Sequence, residues 1–150
     1  MADYINKCRT NYFHVKDPAA FREFMESAID IEELWEEKDK DGNPVFGFSA
    51  YGFPALPCKR TVEAPLEDND FDEEYDDLDT DAFVSGIQSH LADDDALIFT
   101  EIGSEKMRYL VGCATVITKD ASDSINLDDG AITLARKMLR NPKWQTKNEY

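Results

Sequence analysis

Carboxylates are the residues with most chemistry to offer in this sequence. Asp68, Asp70, Asp72 and Glu74 alternate along the chain. Glu67, Glu73, Tyr75, Asp76, Asp77 and Asp79 crowd around them, and Asp93, Asp94 and Asp95 follow a short way on. In an extended chain, alternate residues lie about 6.6 Å apart on one side, which suits a row of regularly spaced anions. Residues 61–105 hold 16 acids and no Lys or Arg, whereas the rest of the chain holds 16 acids and 16 bases. The whole net charge of -16 therefore belongs to one segment. Duplex DNA presents one charge per roughly 1.7 Å of axis, so such a set matches about 27 Å of duplex, or about eight base pairs. Phe71, Tyr75 and Leu78 are interleaved and suit anchoring contacts to the body or to a partner. The plainer use of such a stretch is a solvated loop that confers solubility.

Other chemistries find weaker footing. Glu37-Lys38-Asp39-Lys40-Asp41-Gly42 and Asp68-Asn69-Asp70-Phe71-Asp72 resemble the start of a calcium loop, but the twelfth positions are Phe48 and Asp79, where a bidentate Glu is needed. The first is read instead as a hairpin turn. With 32 acids a general acid–base pair arises by number alone. His14 and His90 are the only histidines. A Cys8–His14 pair on one strand would share a face, yet it brings no third member or oxyanion donor. No glycine-rich phosphate loop is present. The expectation is a protein with no catalytic residues, no metal and no cofactor.

The elements that must hold these residues come next. Residues 4–16 read as a strand. Asp17-Pro18 signals a helix start, with Ala20, Phe21, Phe24, Met25 and Ala28 on one face over 18–28. Strands are expected at 31–38 and 45–51 around the Asp39–Pro44 turn. A long connection with little regular structure, at most one short strand, is expected over 53–79. A helix over 80–91 follows, then strands 96–102 and 106–118 with a turn at Gly103-Ser104. A polar loop, 119–127, leads to a helix over 129–140 that Asn141-Pro142 stops. The basic, aromatic tail reads as docked through Trp144. The fold class expected is α+β: an antiparallel sheet of about five strands with two or three helices on one face. An internal helix–strand–strand duplication is expected, with unit one at 1–52, unit two at 80–118, and a C-terminal helix and tail at 119–150.

Composition excludes several classes. Hydrophobic residues make up 42 %, enough to bury a core in a single domain of 150 residues. Direct nucleic-acid binding needs a basic surface, and an anionic membrane repels this charge. Cys8, Cys58 and Cys113 have no metal or redox spacing and read as reduced thiols. The first residues lack a secretion-signal pattern, so a cytoplasmic protein is expected.

Three stretches carry a resemblance: Asn11 to Asp17, Leu34 to Asp39 with Gly42 to Phe48, and Thr100 to Tyr109. Over most of the chain the sequence resembles a family of small acidic proteins carried by conjugative elements and phages of gut-dwelling bacteria. The resemblance brings no activity and no catalytic residues. It implies a mobile-element context, in which small acidic proteins often disarm restriction or CRISPR nucleases. The function expected is a non-enzymatic inhibitor whose acidic surface mimics nucleic acid and blocks the basic nucleic-acid-binding groove of such a nuclease. The alternative is another kind of interaction module, an immunity-type inhibitor or an assembly subunit.

Overall fold

The computed structural model describes residues 5–59, 76–105 and 109–146. Among them run β1 (Ile5–Thr10), α1 (Pro18–Glu26), β2 (Ile29–Lys38), β3 (Pro44–Lys59), β4 (Asp76–Asp79), α2 (Thr80–His90), β5 (Leu97–Glu105), β6 (Tyr109–Ile117), β7 (Ser122–Asn126) and α3 (Leu127–Leu139). The architecture is α+β. One antiparallel sheet has the order β2-β3-β1-β5-β6-β7, with β4 paired to the far part of β3. The sheet has seven strands where about five were expected.

The helices start where the local chemistry dictates. Asp17 accepts the Ala19 and Ala20 amides at 3.0 and 3.3 Å ahead of Pro18, opening α1. Asp79 accepts the Ala82 amide at 2.9 Å and opens α2. Asn126 accepts the Asp129 amide at 2.7 Å and opens α3. Each bond satisfies a backbone donor that the first helical turn leaves orphaned.

The core is aromatic. Phe13, Phe21, Phe46, Phe48, Phe83 and Phe99 are buried together with Ile87, Leu91, Leu97 and Ile117. Phe13 meets Phe21 edge-on at 5.6 Å and Phe48 edge-on at 6.4 Å. Phe24 stacks on Phe83 at 5.8 Å. Such offset and edge-on pairs add to the gain from buried area. α1 and α2 cover this face of the sheet, supplying Phe21, Met25, Phe83 and Ile87. No residue of α3 is buried, so α3 lies outside that core.

Four local expectations change. The first strand ends at Thr10 rather than continuing to Lys16, because polar side chains take over its ladder. Thr10 Oγ1 accepts the Phe48 amide at 3.0 Å and donates to the Asn11 carbonyl at 2.8 Å. Asn11 Oδ1 accepts the Ile98 amide at 2.7 Å, and its Nδ2 donates to the Ala96 carbonyl at 3.0 Å. The strand expected to end at Tyr51 runs on to Lys59, with Leu56 to Lys59 laddered against β4. β5 passes straight through Gly103-Ser104, which pair with Val111 and Leu110, so the turn expected at those two residues is strand instead; residues 106–108 lie outside the described residues. The polar stretch 119–127 contains an edge strand, β7, whose backbone closes the free side of β6 although all its residues are exposed.

The helix–strand–strand order occurs twice, as α1-β2-β3 and α2-β5-β6. The sheet sets the two units differently. The second strand of the first hairpin, β3, lies next to β1, whereas in the second hairpin it is the first strand, β5.

Candidate functional site

Of the acidic residues singled out in the sequence, Glu67, Asp68, Asp70, Asp72, Glu73, Glu74 and Tyr75 lie outside the described residues. The chain on either side of them is well placed. It leaves the ladder at Lys59 and rejoins it at Asp76, which is the direct partner of Lys59, with Asp77 opposite Cys58. The acid-dense stretch thus departs from and returns to one point at the sheet. Asp79 caps α2. Asp81 and Asp94 are exposed, and Asp93 keeps 68 % of its side chain in solvent while facing Lys16 at 3.3 Å and Lys119 at 3.9 Å.

Asp95 has a different role. His14 lies between two carboxylates, with Nδ1 2.8 Å from Asp95 and Nε2 2.7 Å from Asp39. Asp95 also accepts the His14 amide at 2.7 Å, and Asp39 accepts the Asp41 and Asn43 amides, each at 2.9 Å. Hydrogen bonds to Asp39 and then Asp95 raise the His14 pKa, favouring the doubly protonated ring that donates from both nitrogens. The His14 ring, followed by the Asn43 amide, holds Asp39 below its ordinary value. Partial burial pushes Asp95 up, but the His14 amide, the His14 ring and the Ala96 amide outweigh it and leave Asp95 low. The cluster pins the segment after β1 to the β2–β3 turn and to the α2–β5 turn. The calcium-like Glu37–Gly42 stretch is the end of β2 followed by a hairpin turn that the Asp39 carboxylate organises, with Gly42 at φ 82°.

The Cys8–His14 pairing considered from sequence does not form: His14 lies beyond the end of β1 and faces carboxylates. Burial, then Glu101 and Cys113, pushes the Cys8 thiol up to about 11, and burial also raises Cys113. Both thiols are protonated at neutral pH and unsuited to nucleophilic attack. Among the described residues no group of three or more His, Cys, Asp or Glu is arranged to hold a metal ion.

Two surfaces went unnoticed in the sequence. Edge strand β2 exposes Asp30, Glu32, Glu33, Glu36 and Glu37, so a second acidic border runs along the sheet. Arg22 pairs with Glu36. The signal was present in the run from Asp30 to Asp41, which the base-free segment overshadowed. The other surface is the sheet face away from α1 and α2. Ile5, Tyr51, Ile98, Ile102 and Leu110 line an open groove of about 1210 Å³ there. Ile5, Tyr51 and Ile102 are about two-thirds exposed, at 65, 66 and 65 %. Lys7 and Arg9 stand among them, with Arg9 5.1 Å above the Trp35 ring. Alternation within each strand turns Phe99 to the core and Ile98 to this face.

The fold and surfaces define a one-sheet α+β protein with acidic borders and one open apolar face. Compared with protein-family models, curated proteins and solved structures, the chain matches none. Among the described residues no helix is long and apolar enough to cross a membrane.

Proposed function

We propose that this chain is a non-enzymatic inhibitor, cytoplasmic, that presents its acidic segment to the basic nucleic-acid groove of a host defence nuclease, of the anti-restriction or anti-CRISPR type. The observation that carries the reading is the confinement of the entire net charge to residues 61–105. The Lys59–Asp76 ladder supports it, because it roots the densest part of that segment at one place on the sheet. The acids of β2 extend the same sign along an edge. A basic groove would gain steering at encounter and attraction at contact. The mobile-element resemblance of the sequence points the same way.

The test is competition with DNA for restriction and CRISPR nucleases at two salt concentrations. Displacement of DNA that weakens at higher salt is expected, and neutralising Asp70, Asp72, Glu74 and Asp76 together abolishes it. Failure to displace DNA from any such enzyme removes the reading. A second reading, an interaction module of another kind, rests on the open apolar face of the sheet. It predicts binding that survives the fourfold neutralisation and is lost on charging Tyr51 and Ile102.

A further inference from the structure

The two carboxylates that meet the His14 ring are anchored in different ways. A doubly protonated ring donates from Nε2 to Asp39 Oδ2 at 2.7 Å and from Nδ1 to Asp95 Oδ2 at 2.8 Å. A neutral ring has one proton to give. Its bare nitrogen then turns a lone pair toward a carboxylate at hydrogen-bond distance, and that contact has to open. On the Asp95 side it has no room to do so. The oxygen that meets Nδ1 also accepts the His14 amide at 2.7 Å, and the other oxygen accepts the Ala96 amide at 2.8 Å. Backbone holds this carboxylate against the ring in either state, so Nδ1 keeps the last proton.

Asp39 belongs to the β2–β3 turn and moves with it. Its Oδ1 accepts the Asp41 and Asn43 amides, and its own amide donates to the Asn43 carbonyl at 2.9 Å. All three bonds are internal to the turn. At the root of the turn Phe13 and Phe46 exchange backbone hydrogen bonds of 2.8 and 2.9 Å. Beyond that bridge, among the described residues, the His14 contact is the one hydrogen bond or ion pair that ties residues 39–43 to the chain outside the hairpin. No other charged group among the described residues pairs with the ring. Lys38, Lys40, Asp41 and Asp94 are exposed, Asp93 pairs with Lys16 and Lys119, and the His90 ring packs on Phe21 and Phe24. We propose that His14 is a proton-operated latch on the β2–β3 hairpin: loss of the Nε2 proton frees the hairpin tip, while the Asp95 side stays closed. The Phe13–Phe46 bridge is the hinge. Release adds Asp39 to the exposed carboxylates of β2.

NMR on the whole, nitrogen-labelled chain between about pH 5 and 9 tests this. The His14 ring is expected to titrate above the ordinary 6.5 and to keep its last proton on Nδ1. The heteronuclear NOE of Lys40, Asp41 and Gly42 falls with the same midpoint, while that of Ala96 and Leu97 does not change. Asp39→Asn reverses the latch. Its Oδ1 still takes the two turn amides, and its Nδ2 stands where Oδ2 was, a donor facing Nε2. The neutral ring accepts that donor and the protonated ring repels it. The tip of this variant is therefore held at high pH and loosened at low pH, and the ring midpoint drops by about one unit. A wild-type tip equally rigid in both ring states overturns the proposal. So does a neutral ring protonated on Nε2, or an Asp39→Asn chain whose tip loosens with rising pH like the parent.

Discussion

Replacing Thr10 by Val tests how β1 is joined to β3. The substitution keeps the shape and removes one hydroxyl. That hydroxyl is buried to 2 % exposure and bridges the Phe48 amide at 3.0 Å and the Asn11 carbonyl at 2.8 Å. The ladder of β1 with β3 stops at Cys8–Ala50 and Arg9–Ser49, and the chains meet again only at Phe13–Phe46. Without the hydroxyl the Phe48 amide is orphaned inside the core, which costs about 1–3 kcal/mol. The added methyl returns about 0.8 kcal/mol of that. The lost bond to the Asn11 carbonyl adds about 0.5–1.5 kcal/mol, so the net loss is about 1–4 kcal/mol, or about 2–16 °C in Tm for a domain of this length. Thr10→Ser keeps both bonds and loses only a methyl, about 0.8 kcal/mol. Urea unfolding of the three chains checks the order: wild type, then Ser, then Val, with unchanged m-values. A Val variant as stable as wild type, or a Ser variant weaker than Val, would refute the bridging role.

Further outcomes follow from the packing and the charges. Gly86→Ala drives a methyl into the Phe24 ring, which is stacked on Phe83. A loss of about 1–3 kcal/mol is expected in denaturant titration. Asp79→Asn keeps the cap of α2 and should leave stability within about 0.5 kcal/mol, whereas Asp79→Ala costs about 0.5–2 kcal/mol; thermal melts of both separate its capping from its charge. The His14 cluster gives stability a defined pH window. The raised His14 pKa contributes fully below the ordinary 6.5 and fades as pH rises through the folded value. The lowered Asp39 and Asp95 contribute fully above the ordinary 3.8 and fade as pH falls through theirs. The advantage of wild type over His14→Gln, read from urea midpoints, should therefore be greatest between about pH 4 and 6.5.

Much of the fold was legible because its signals are local. Asp17-Pro18 and Asp79 mark helix starts through bonds to the next few residues, and the phenylalanines at helical spacing name the core face. What stayed hidden depends on partners far along the chain. The end of β1 is decided by hydroxyl and amide groups that reach residues 38 and 87 positions away. Strand β7, Ser-Asp-Ser-Ile-Asn, has little propensity to be a strand and becomes one because β6 offers an open edge. The extension of β3 through Pro54 and Pro57 runs against the usual reading of proline and is held by β4. Of the site, the charge block was plain in composition. The role of Asp95 with His14, 81 residues away, was not.

The pairing of Lys59 with Asp76 makes the densest acidic stretch separable from the protein that bears it. Cutting the sixteen residues between them to a two-residue turn shortens a loop whose closure then costs about 2 kcal/mol less. It also removes seven of the 32 acids and leaves every described strand in place. The scaffold and its charged cargo are thus exchangeable parts. A different insert could ride on the same sheet, and the same insert could be carried by another hairpin.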